Sequence, residues 1–399
     1  MKILQINKFF FLKGGAERYF FDLAELLSEK GERVSVWSAR HPLDFSKREG
    51  FLKDFKKVRR IFWNREAVKK MEKVIEREKP DVAHLHNIFG HFSPSIIFAL
   101  KKRGIPIVMT LHDYKFFCPN YKFFTRGKVC FDCLKKRNYR ACFYKKCVHN
   151  SRIKSFLGYL EGKWQRDFLK AAHKIDMFLA PSLFIKEKAL EWGIPFDKII
   201  HLPNFITIDN LEKIRQNKDE KYILYFGRLS EEKGIALLIK AFLKAVDKEA
   251  DGWKLKIAGD GPEEENLRKI AKNEDGVEFL GRLNSEALKE KIFNARLVVV
   301  PSLWPENFPY SVLESFALGK TVLAAKIGGL PEMIENGKTG LLFEAGDKND
   351  LAEKILWAMS QPEKIKKIGE NAREEALKKY SSEGHYEKLK RVYERIKND

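Results

Sequence analysis

The chain of 399 residues is long enough for two domains, and hydrophobic residues make up 44% of it, so a sizeable buried core is expected. Its 76 Lys and Arg residues outnumber its 55 Asp and Glu residues, which gives a formal net charge of +21. No run of about 18 uncharged apolar residues is present, so no transmembrane helix is expected. The N-terminal MKILQINK enters a strand directly and lacks the layout of a signal peptide, so we expect a cytoplasmic protein.

The excess of positive over negative charge is confined to the first half of the chain. Residues 1–200 hold 42 Lys and Arg against 21 Asp and Glu, whereas residues 201–399 hold 34 of each kind. A Lys-rich composition alone would explain many charges of both signs, but it would not explain this asymmetry. The difference therefore favours an anionic partner for the first half.

Strand and helix patterns alternate along the first half. The predicted strands have the sequences KILQIN, RVSVWSA, DVAHLH, IPIVMTLH, KIDMFLAP and KIIHLPN, and the predicted helices cover 16–30, 65–79, 94–103, 153–173 and 182–192. Apolar strands that alternate with helices are typical of a parallel sheet with helices on both faces.

The same alternation continues in the second half. The predicted strands are YILYFGR, WKLKIAG, VEFLG, ARLVVVPS, TVLAAK and TGLLF, and helices are predicted at 233–247, 263–273, 284–294, 312–319, 347–359 and 363–379. We therefore predict an α/β protein with two Rossmann-like, doubly wound parallel sheets.

The domain boundary is predicted near 205–220, where TIDNLEKIRQNKDEK is polar and lacks strand character. The first domain then covers 1–205 and the second 206–380. An amphipathic helix over 381–399 is expected to pack back on the first domain. Residues 114–152 are too long for an ordinary connection between a strand and a helix, so we interpret them as an insert with its own small structure.

The strongest candidate site lies in PSLWPENFPYSVLESFALGK. Seven residues separate Glu306 from Glu314, and Glu314 is predicted to begin a helix after a Pro-containing loop. The loop follows a buried strand, at the end where ligands bind in open α/β sheets. Backbone amides around Phe308 would face an anion at the helix N-terminus, although Pro309 lacks one such donor. The alternative is a loop with two solvated glutamates.

A second candidate is YFGRLSEEKG, where Arg228 and Lys233 follow a buried strand. Two cations at that position suit a diphosphate, because guanidinium offers a rigid donor fork and ammonium a point charge. The alternative is a basic turn before a helix. Two further turns follow strands: IAGDGPEEENL, whose acidic residues favour a structural role, and FLGRLNSEAL, where the backbone around Arg282 would meet a flat base.

Two features of the first half also lie at strand ends. KGGAERYFF carries the pair Gly14 and Gly15 before a helix, but it matches neither common phosphate-binding Gly-rich pattern. TLHDY places His112 at the end of a strand, where a lone histidine is more often structural. AHLHN puts His84 and His86 on one strand face, and without an acidic partner we interpret them as packing or acceptor contacts.

These motifs occur in one order along the chain: GGAER, LHD, FGRLSEEKG, GDGP, FLGRL, PENFPYSVLE and GGLPEMIENGKTGLLF. In this order and spacing the sequence resembles the retaining glycosyltransferases of family 4, which have the GT-B architecture of two Rossmann-like domains facing a central cleft. The resemblance covers nearly the whole chain, and the 114–152 insert is its least typical part.

The resemblance implies that the second domain binds a nucleotide-diphosphate-sugar donor and the first domain binds the acceptor. Arg228 and Lys233 would hold the diphosphate, Glu314 the ribose and Glu306 the donor sugar. The implied catalytic residues are His112, Arg228, Lys233 and Glu306. The implied donor-binding residues are Gly14, Gly15, Arg228, Lys233, Arg282, Leu283, Glu306, Phe308, Pro309, Tyr310 and Glu314.

The implied chemistry is transfer with retention of the anomeric configuration. Negative charge develops on the departing diphosphate, and fixed cations stabilise it better than water does. No Asp-x-Asp metal motif lies near a strand end, so we expect a reaction that needs no metal or other cofactor. A nucleotide-sugar epimerase or hydrolase of the same architecture is the alternative, and donor turnover without an acceptor would favour it.

The insert holds all five cysteines of the chain. Cys130 and Cys133 form a C-x2-C pair, and Cys142 and Cys147 form a C-x4-C pair, which together suit a structural tetrahedral zinc ion. Reduced structural cysteines, an iron–sulfur cluster and disulfides are the alternatives, and a cytoplasmic setting disfavours disulfides.

The region around the insert is strongly basic: residues 101–170 hold 18 Lys and Arg against 4 Asp and Glu, interleaved with phenylalanines. This mixture suits an anionic membrane surface, where rings insert and cations meet headgroups. We therefore predict peripheral binding at the inner face of the membrane and a lipid-linked acceptor. No nucleic-acid partner is predicted, because nucleic-acid binding would leave the diphosphate motifs of the second half unexplained.

Overall fold

The computed structural model describes residues 1–39, 51–206, 221–246, 252–272 and 274–398. The chain divides into two compact units. The first unit consists of Met1–Thr125, Cys130–Asn204 and Ser382–Asp399, and the second of Arg126–Val129 and Phe205–Ser381. The polar segment in which we predicted the domain boundary lies, beyond Ile206, outside the described residues.

The elements of the first half follow one another as short strands and helices. The strands are β1 (Lys2–Asn7), β2 (Arg33–Ser38), β3 (Val82–Leu85), β4 (Ile107–Thr110), β5 (Phe124–Thr125), β6 (Lys128–Val129), β7 (Met177–Ala180) and β8 (Ile199–His201). The helices are α1 (Gly15–Glu29), α2 (Phe51–Phe62), α3 (Arg65–Glu78), α4 (Ser95–Lys102), α5 (Asp132–Lys135), α6 (Arg140–Tyr144), α7 (Arg152–Lys163) and α8 (Leu183–Trp192).

The second half has the same alternation, with a helical C-terminus. The strands are β9 (Tyr222–Phe226), β10 (Lys254–Ala258), β11 (Val277–Gly281), β12 (Leu297–Val300), β13 (Val322–Ala325) and β14 (Leu341–Phe343). The helices are α9 (Ile235–Val246), α10 (Glu264–Ala271), α11 (Ser285–Asn294), α12 (Tyr310–Ala317), α13 (Leu330–Met333), α14 (Lys348–Ser360), α15 (Pro362–Lys379) and α16 (Ser382–Asn398).

The sheet of the first unit is fully parallel, with the strand order β2-β1-β3-β4-β7-β8. Its central strands are continuous apolar runs: every residue of β3, β4 and β7 is buried. Such strands need helices on both faces of the sheet. The order reverses between β1 and β3, so this unit has a topological switch point at the ends of those two strands.

The C-terminal helix α16 belongs to the first unit. Its buried His385 and Tyr393 make hydrogen bonds to Tyr19 of α1 and His84 of β3, respectively. A salt bridge of 3.0 Å also joins Lys397 to Asp81. These hydrogen bonds and the burial of both side chains hold the C-terminal helix to the first unit, although the second unit precedes it in the chain.

The sheet of the second unit is also parallel, with the order β11-β10-β9-β12-β13-β14. This is the dinucleotide-binding strand order, and its switch point lies between β9 and β12. The two doubly wound parallel sheets confirm the predicted fold class. Among the described residues, no helix has both the length and the apolar composition required to cross a membrane.

Two predicted helices differ from those observed. The helix that we expected Glu314 to begin starts earlier, at Tyr310, because Pro309 precedes it in an extended conformation and is tolerated just outside a helix start. The helix predicted over 153–173 is divided into α7, a π-helical turn over Trp164–Phe168 and a short 3-10 turn. The 3-10 turn begins directly after Lys170, whose φ of 47° lies in the left-handed region and interrupts the helix.

Candidate active site

The candidate site of the second unit is assembled at its topological switch point. β9 pairs directly with β12, with Ile223 opposite Leu297 and Leu224 opposite Val298. Arg228 and Lys233 follow β9, whereas Glu306 follows β12. Because the carboxyl ends of two parallel neighbours meet at one edge of the sheet, the pairing brings the two motifs together.

Glu306 and Lys233 form an ion pair. Lys233 Nζ donates to Glu306 Oε1 at 2.7 Å, and Ser302 Oγ donates to the same oxygen at 2.6 Å. Glu306 is 4% exposed, so it is not the solvated loop residue of the alternative interpretation. The Lys233 ammonium also lies 5.1 Å from the ring centroid of Trp304. A buried carboxylate requires such partners, since an unpaired charge is costly away from water.

The backbone of Glu306 is fixed by a glycine pair that our sequence analysis did not place in the site. Gly329 N–H donates to the Glu306 carbonyl at 2.7 Å. Gly328 has a φ of 62°, and a Cβ there would lie 2.3 Å from the same carbonyl oxygen. The GGLPE segment, quoted above only as part of a resemblance, therefore holds the Glu306 loop. The two adjacent glycines after a predicted strand could have indicated this role from the sequence.

The backbone beside Lys233 is fixed by an equally close contact with the loop after β12. Lys233 ends a 3-10 turn over Glu231–Lys233, and the next residue, Gly234, has a φ of 72°. A Cβ on Gly234 would lie 1.9 Å from the Pro301 carbonyl oxygen. Leu303 N–H also donates to the Glu232 carbonyl at 2.9 Å. The loops after β9 and β12 thus form one packed unit, in which only glycine fits at position 234.

Arg228 lies at the open end of β9. Its side chain is exposed, and its carbonyl accepts a hydrogen bond of 2.9 Å from Tyr225 Oη. Burial and the nearby carboxylates of Glu306 and Glu232 raise the pKa of Tyr225 well above its usual value, so this tyrosine stays protonated and remains a donor. Between the two cations, the hydroxyl of Ser230 is buried without a hydrogen-bond partner among the described residues. The loop therefore offers two cations and one additional donor.

The GDGP turn supports this loop. Gly259 has a φ of 140°, and a Cβ there would lie 1.9 Å from the carbonyl oxygen of Gly227. A Cβ on Gly261 would lie 2.2 Å from the Leu229 carbonyl oxygen. Leu229 N–H in turn donates to the Asp260 carbonyl at 2.8 Å. These backbone contacts fit the structural role that we predicted from the acidic residues of the turn.

The remaining predicted donor-binding residues of this unit occupy three places. Phe308 is buried, with its ring 5.3 Å from that of Tyr380. Glu314 is half-buried, one turn into α12, and Pro309 and Tyr310 lie at the start of that helix. Arg282 and Leu283 follow β11, the edge strand two places from β9. Arg282 is exposed, whereas Leu283 packs against the core.

In the first unit, Gly14 and Gly15 lie at the N-terminus of α1. Gly14 is the N-cap residue with extended backbone, and it provides no side-chain cap to the helix. A Cβ on Gly14 would meet only Glu17 Oε2, at 3.9 Å. Gly14 therefore leaves the N-terminus of α1 without a side-chain cap from its N-cap residue. Burial raises the pKa of Glu17, although Lys8 and a hydrogen bond from Asn7 oppose that shift.

His112 follows β4 and is hydrogen-bonded to a second histidine. His112 Nε2 lies 3.0 Å from His86 Nδ1, and His86 Nε2 lies 3.1 Å from Gln5 Oε1. Burial, reinforced by the charge of Lys8, lowers the pKa of His112 to about 3. The imidazole is therefore neutral at physiological pH, so it is suited to hydrogen bonding rather than to ion pairing.

The five cysteines are free thiols. Lys145 Nζ lies 3.4 Å from Cys130 Sγ. A hydrogen bond with Cys147, together with burial, raises the pKa of Cys142. Within the described part of the chain, no three His, Cys, Asp or Glu side chains are arranged to hold a metal ion. The zinc site expected at Cys130, Cys133, Cys142 and Cys147 stays a prediction, and the metal content of the purified protein tests it.

Two known domain families match successive parts of the chain. Residues 13–210 match Glycosyltransferase Family 4, and residues 207–375 match Glycosyl transferases group 1. Both halves of the chain carry a glycosyltransferase domain. The two matches support the family 4 resemblance and, with the fold, the GT-B type of two Rossmann-like domains.

Two of the curated relatives to which the chain is similar are named as glycosyl- or sugar transferases. An uncharacterized glycosyltransferase of Methanocaldococcus jannaschii is 27% identical over 86% of this chain and 83% of its own. The lipopolysaccharide 1,2-N-acetylglucosaminetransferase of Salmonella typhimurium is 30% identical over 55% of this chain and 61% of its own.

Among solved structures, Anabaena HepE in complex with UDP and glucose is similar with a TM-score of 0.67. The two are 19% identical, and the match covers 98% of this chain and 99% of that one. At this identity the likeness concerns the fold. The similarity in fold thus extends over nearly the whole chain.

Proposed function

We propose that this glycosyltransferase moves a sugar from a nucleotide-diphosphate-sugar to an acceptor hydroxyl with retention of the anomeric configuration. The observation that carries the proposal is the Lys233–Glu306 ion pair at the switch point of the second unit. It places a cation suited to a diphosphate beside a buried carboxylate suited to sugar hydroxyls. The similarity to a protein solved with UDP and glucose supports a nucleotide-sugar as the donor.

The cations of the β9 loop act on the leaving group. As the bond between the anomeric carbon and the diphosphate oxygen breaks, negative charge develops on that oxygen, and fixed donors stabilise it without reorganisation. The Lys233 ammonium has three N–H donors, of which Glu306 Oε1 receives one. Its other donors and the exposed guanidinium of Arg228 serve the diphosphate. This residue chemistry supports a reaction that needs no metal ion.

The carboxylates hold the two ends of the donor. Glu306 accepts hydrogen bonds from hydroxyls of the transferred sugar, and Glu314 accepts them from the ribose. The acceptor oxygen bonds to the anomeric carbon on the face that the diphosphate leaves, and its proton passes to the departing oxygen. The neutral His112 is proposed to contribute a hydrogen-bonding group to the reaction.

A panel of nucleotide-sugars in a thermal-shift assay tests the proposal. The matching donor is expected to raise the unfolding temperature by several degrees, because it binds only the folded chain. Incubation of that donor with glycan and lipid-linked acceptors is then expected to release nucleoside diphosphate and a product with the donor's anomeric configuration. An inverted product would refute retention. Donor hydrolysis or epimerisation at the same rate with and without an acceptor would favour the alternative, a nucleotide-sugar epimerase or hydrolase.

We also propose that the first unit docks on an anionic membrane and transfers the sugar to a lipid-linked acceptor. At the start of α7, Arg152, Ile153, Lys154 and Phe156 are exposed, with Ile153 at 72%. Phe156 is in contact with Phe143, at 5.6 Å between ring centroids. Apolar side chains flanked by cations match the chemistry of an acidic lipid surface. The similarity to a lipopolysaccharide enzyme supports an acceptor of that kind.

Substitution at the start of α7 is expected to weaken binding to vesicles that contain anionic lipid. Replacing Arg152 and Lys154 with glutamine removes about 1 kcal/mol for each cation, so partitioning falls roughly 30-fold. Ile153→Ser with Phe156→Ser is expected to lower it as well, by removing the inserted side chains. Trp357→Ser, at an exposed apolar residue of the second unit, is the control. Equal sedimentation of all variants, or equal binding to neutral vesicles, would contradict the proposal.

A further inference from the structure

Two basic residues of the second unit lie side by side at the amino edge of its sheet, where the strands begin. β12 pairs with β13, with Val298 opposite Val322. Arg296 and Lys320 lie two positions before these valines, so the same register places them next to each other on one face of the sheet. The candidate active site lies at the other edge, because its loops follow the carboxyl ends of β9 and β12. The four residues of β12 separate the two edges by about 13 Å.

A third cation, Arg373 on α15, lies beside this pair. Its stem passes Gly319, the residue before Lys320, and a Cβ on Gly319 would lie 3.8 Å from Arg373 Cδ. Arg373 and Arg296 are exposed, whereas Lys320 is half-buried. Three segments of the second unit that are distant in the chain thus each contribute one cation to this place.

These three cations have no carboxylate partner among the described residues. None of their side chains forms an ion pair or a hydrogen bond there. Other cations of the same unit are paired, as Lys326 is with Glu344 at 3.2 Å. An exposed arginine needs no partner, because water solvates it. The half-buried Lys320 is different, since burial removes part of that solvation.

Lys320 is held in a place that disfavours its charge. Its ammonium lies 5.0 Å from the ring centroid of Phe293, near the end of α11. Burial and, to a lesser extent, the charge of Arg296 lower the pKa of Lys320 to about 8. An anion bound between Lys320 and Arg296 would offset both effects, because an opposite charge favours the protonated amine.

We propose that Arg296, Lys320 and Arg373 form a binding site for a phosphate group at the amino edge of the second sheet, separate from the candidate diphosphate site. A guanidinium binds two phosphate oxygens at once, and an ammonium adds a point charge beside it. Several cations at one place attract a doubly charged phosphate more strongly than a singly charged chloride. The phosphate group belongs to a free phosphate or to the headgroup of a lipid. The site does not depend on the proposed sugar transfer.

Titration calorimetry of the full-length protein with inorganic phosphate tests the site, at an ionic strength held constant with chloride. Because phosphate is also expected to bind at the candidate diphosphate site, the double variant Arg228→Gln with Lys233→Gln is titrated in parallel and is expected to keep one binding event. Adding Arg296→Gln or Lys320→Met is expected to weaken that binding roughly 10- to 100-fold, the loss typical of one charge-assisted hydrogen bond. Lys326→Gln removes the same charge elsewhere in the unit and is expected to leave the binding unchanged.

Thermal unfolding of Lys320→Met without the other substitutions provides a second measurement. Methionine keeps an unbranched stem beside Phe293 and removes the charge. In chloride, the variant is expected to unfold at the wild-type temperature or above it, because a lysine whose pKa is lowered on folding opposes folding while it is charged. Phosphate is expected to raise the unfolding temperature of the wild type more than that of Lys320→Met. A lower unfolding temperature of the variant in chloride would contradict the inference.

Sedimentation with neutral vesicles that contain phosphatidic acid distinguishes the two sources of the phosphate group. Weaker sedimentation of Lys320→Met than of the wild type and Lys326→Gln assigns the lipid headgroup. Equal sedimentation, combined with loss of inorganic phosphate binding in Lys320→Met, assigns a free phosphate. If phosphate binding is equal in Lys320→Met and Lys326→Gln and all three proteins sediment equally, the inference is overturned.

Discussion

Replacing Lys233 with alanine is expected to lower the rate of sugar transfer about 100- to 1,000-fold, the loss typical of removing one fixed group that stabilises developing charge. The same substitution removes the cation that lies 2.7 Å from the buried carboxylate of Glu306. Because the Lys233 side chain is 25% exposed, solvent replaces part of that interaction, and we expect unfolding to become easier by about 1–3 kcal/mol. Transfer is measured from release of nucleoside diphosphate, and stability by chemical denaturation.

Lys338 provides the matched control for this substitution. It forms a comparable ion pair of 2.8 Å with Glu335 in the same unit, but both side chains are more than half exposed. Lys338→Ala is therefore expected to change stability much less than Lys233→Ala does and to leave transfer unchanged. The double variant Lys233→Ala with Glu306→Ala is expected to lose less stability than the sum of the single variants. Strict additivity, or full transfer activity in Lys233→Ala, would exclude the proposed role of the pair.

Gly234→Ala is expected to abolish most of the activity and to destabilise the second unit by about 3–5 kcal/mol. Two effects add at this position: a left-handed backbone with a φ of 72°, and a Cβ that would lie 1.9 Å from the Pro301 carbonyl oxygen. Since neither the backbone at Gly234 nor that at Pro301 is the end of a flexible side chain, the loops after β9 and β12 must separate. Lys233 and Glu306 then lose their alignment.

Gly337 is a control that shares the left-handed backbone of Gly234 but not its close contact. Its φ of 81° is also left-handed, but a Cβ there would have no heavy atom within 4 Å. Gly337→Ala is therefore expected to cost only about 1–2 kcal/mol and to leave kcat unchanged. Thermal unfolding and transfer rates of both variants are compared under one set of conditions. Equal destabilisation by the two substitutions would show that the contact with Pro301 has no effect of its own.

The order of elements was largely readable from the sequence because the parallel strands are buried on both faces. Runs such as LVVV in β12 and VLAA in β13 are apolar at every position, and a loop and a helix separate them. The helix start before Glu314 was misplaced, since the prediction followed the carboxylate rather than Pro309, after which the helix begins. Helix α2 was not predicted, although Phe51, Phe55, Val58 and Phe62 recur in its basic sequence at helical spacing.

The candidate site residues were predicted one by one, without their partners. The sequence distinguished Lys233 and Glu306 as members of separate motifs, and His86 was interpreted as a packing or acceptor contact. Lys233 and Glu306 lie 73 positions apart in the sequence, and only the pairing of β9 with β12 makes them neighbours. Likewise, Gln5 and His86 lie 81 positions apart, and the pairing of β1 with β3 places them side by side.

The sequence by itself determined the two doubly wound sheets, the ends of the strands that carry polar groups, and the resemblance that predicts sugar transfer. These features depend on local order: periodicity, turn residues and motif spacing along the chain. Only the tertiary structure decided that Lys233 neutralises Glu306, that Gly234 and Gly328 fix the two loops, and that His86 is hydrogen-bonded to His112. Those facts depend on strand order and on distances of a few ångströms between residues far apart in the chain, which no pattern along the chain encodes.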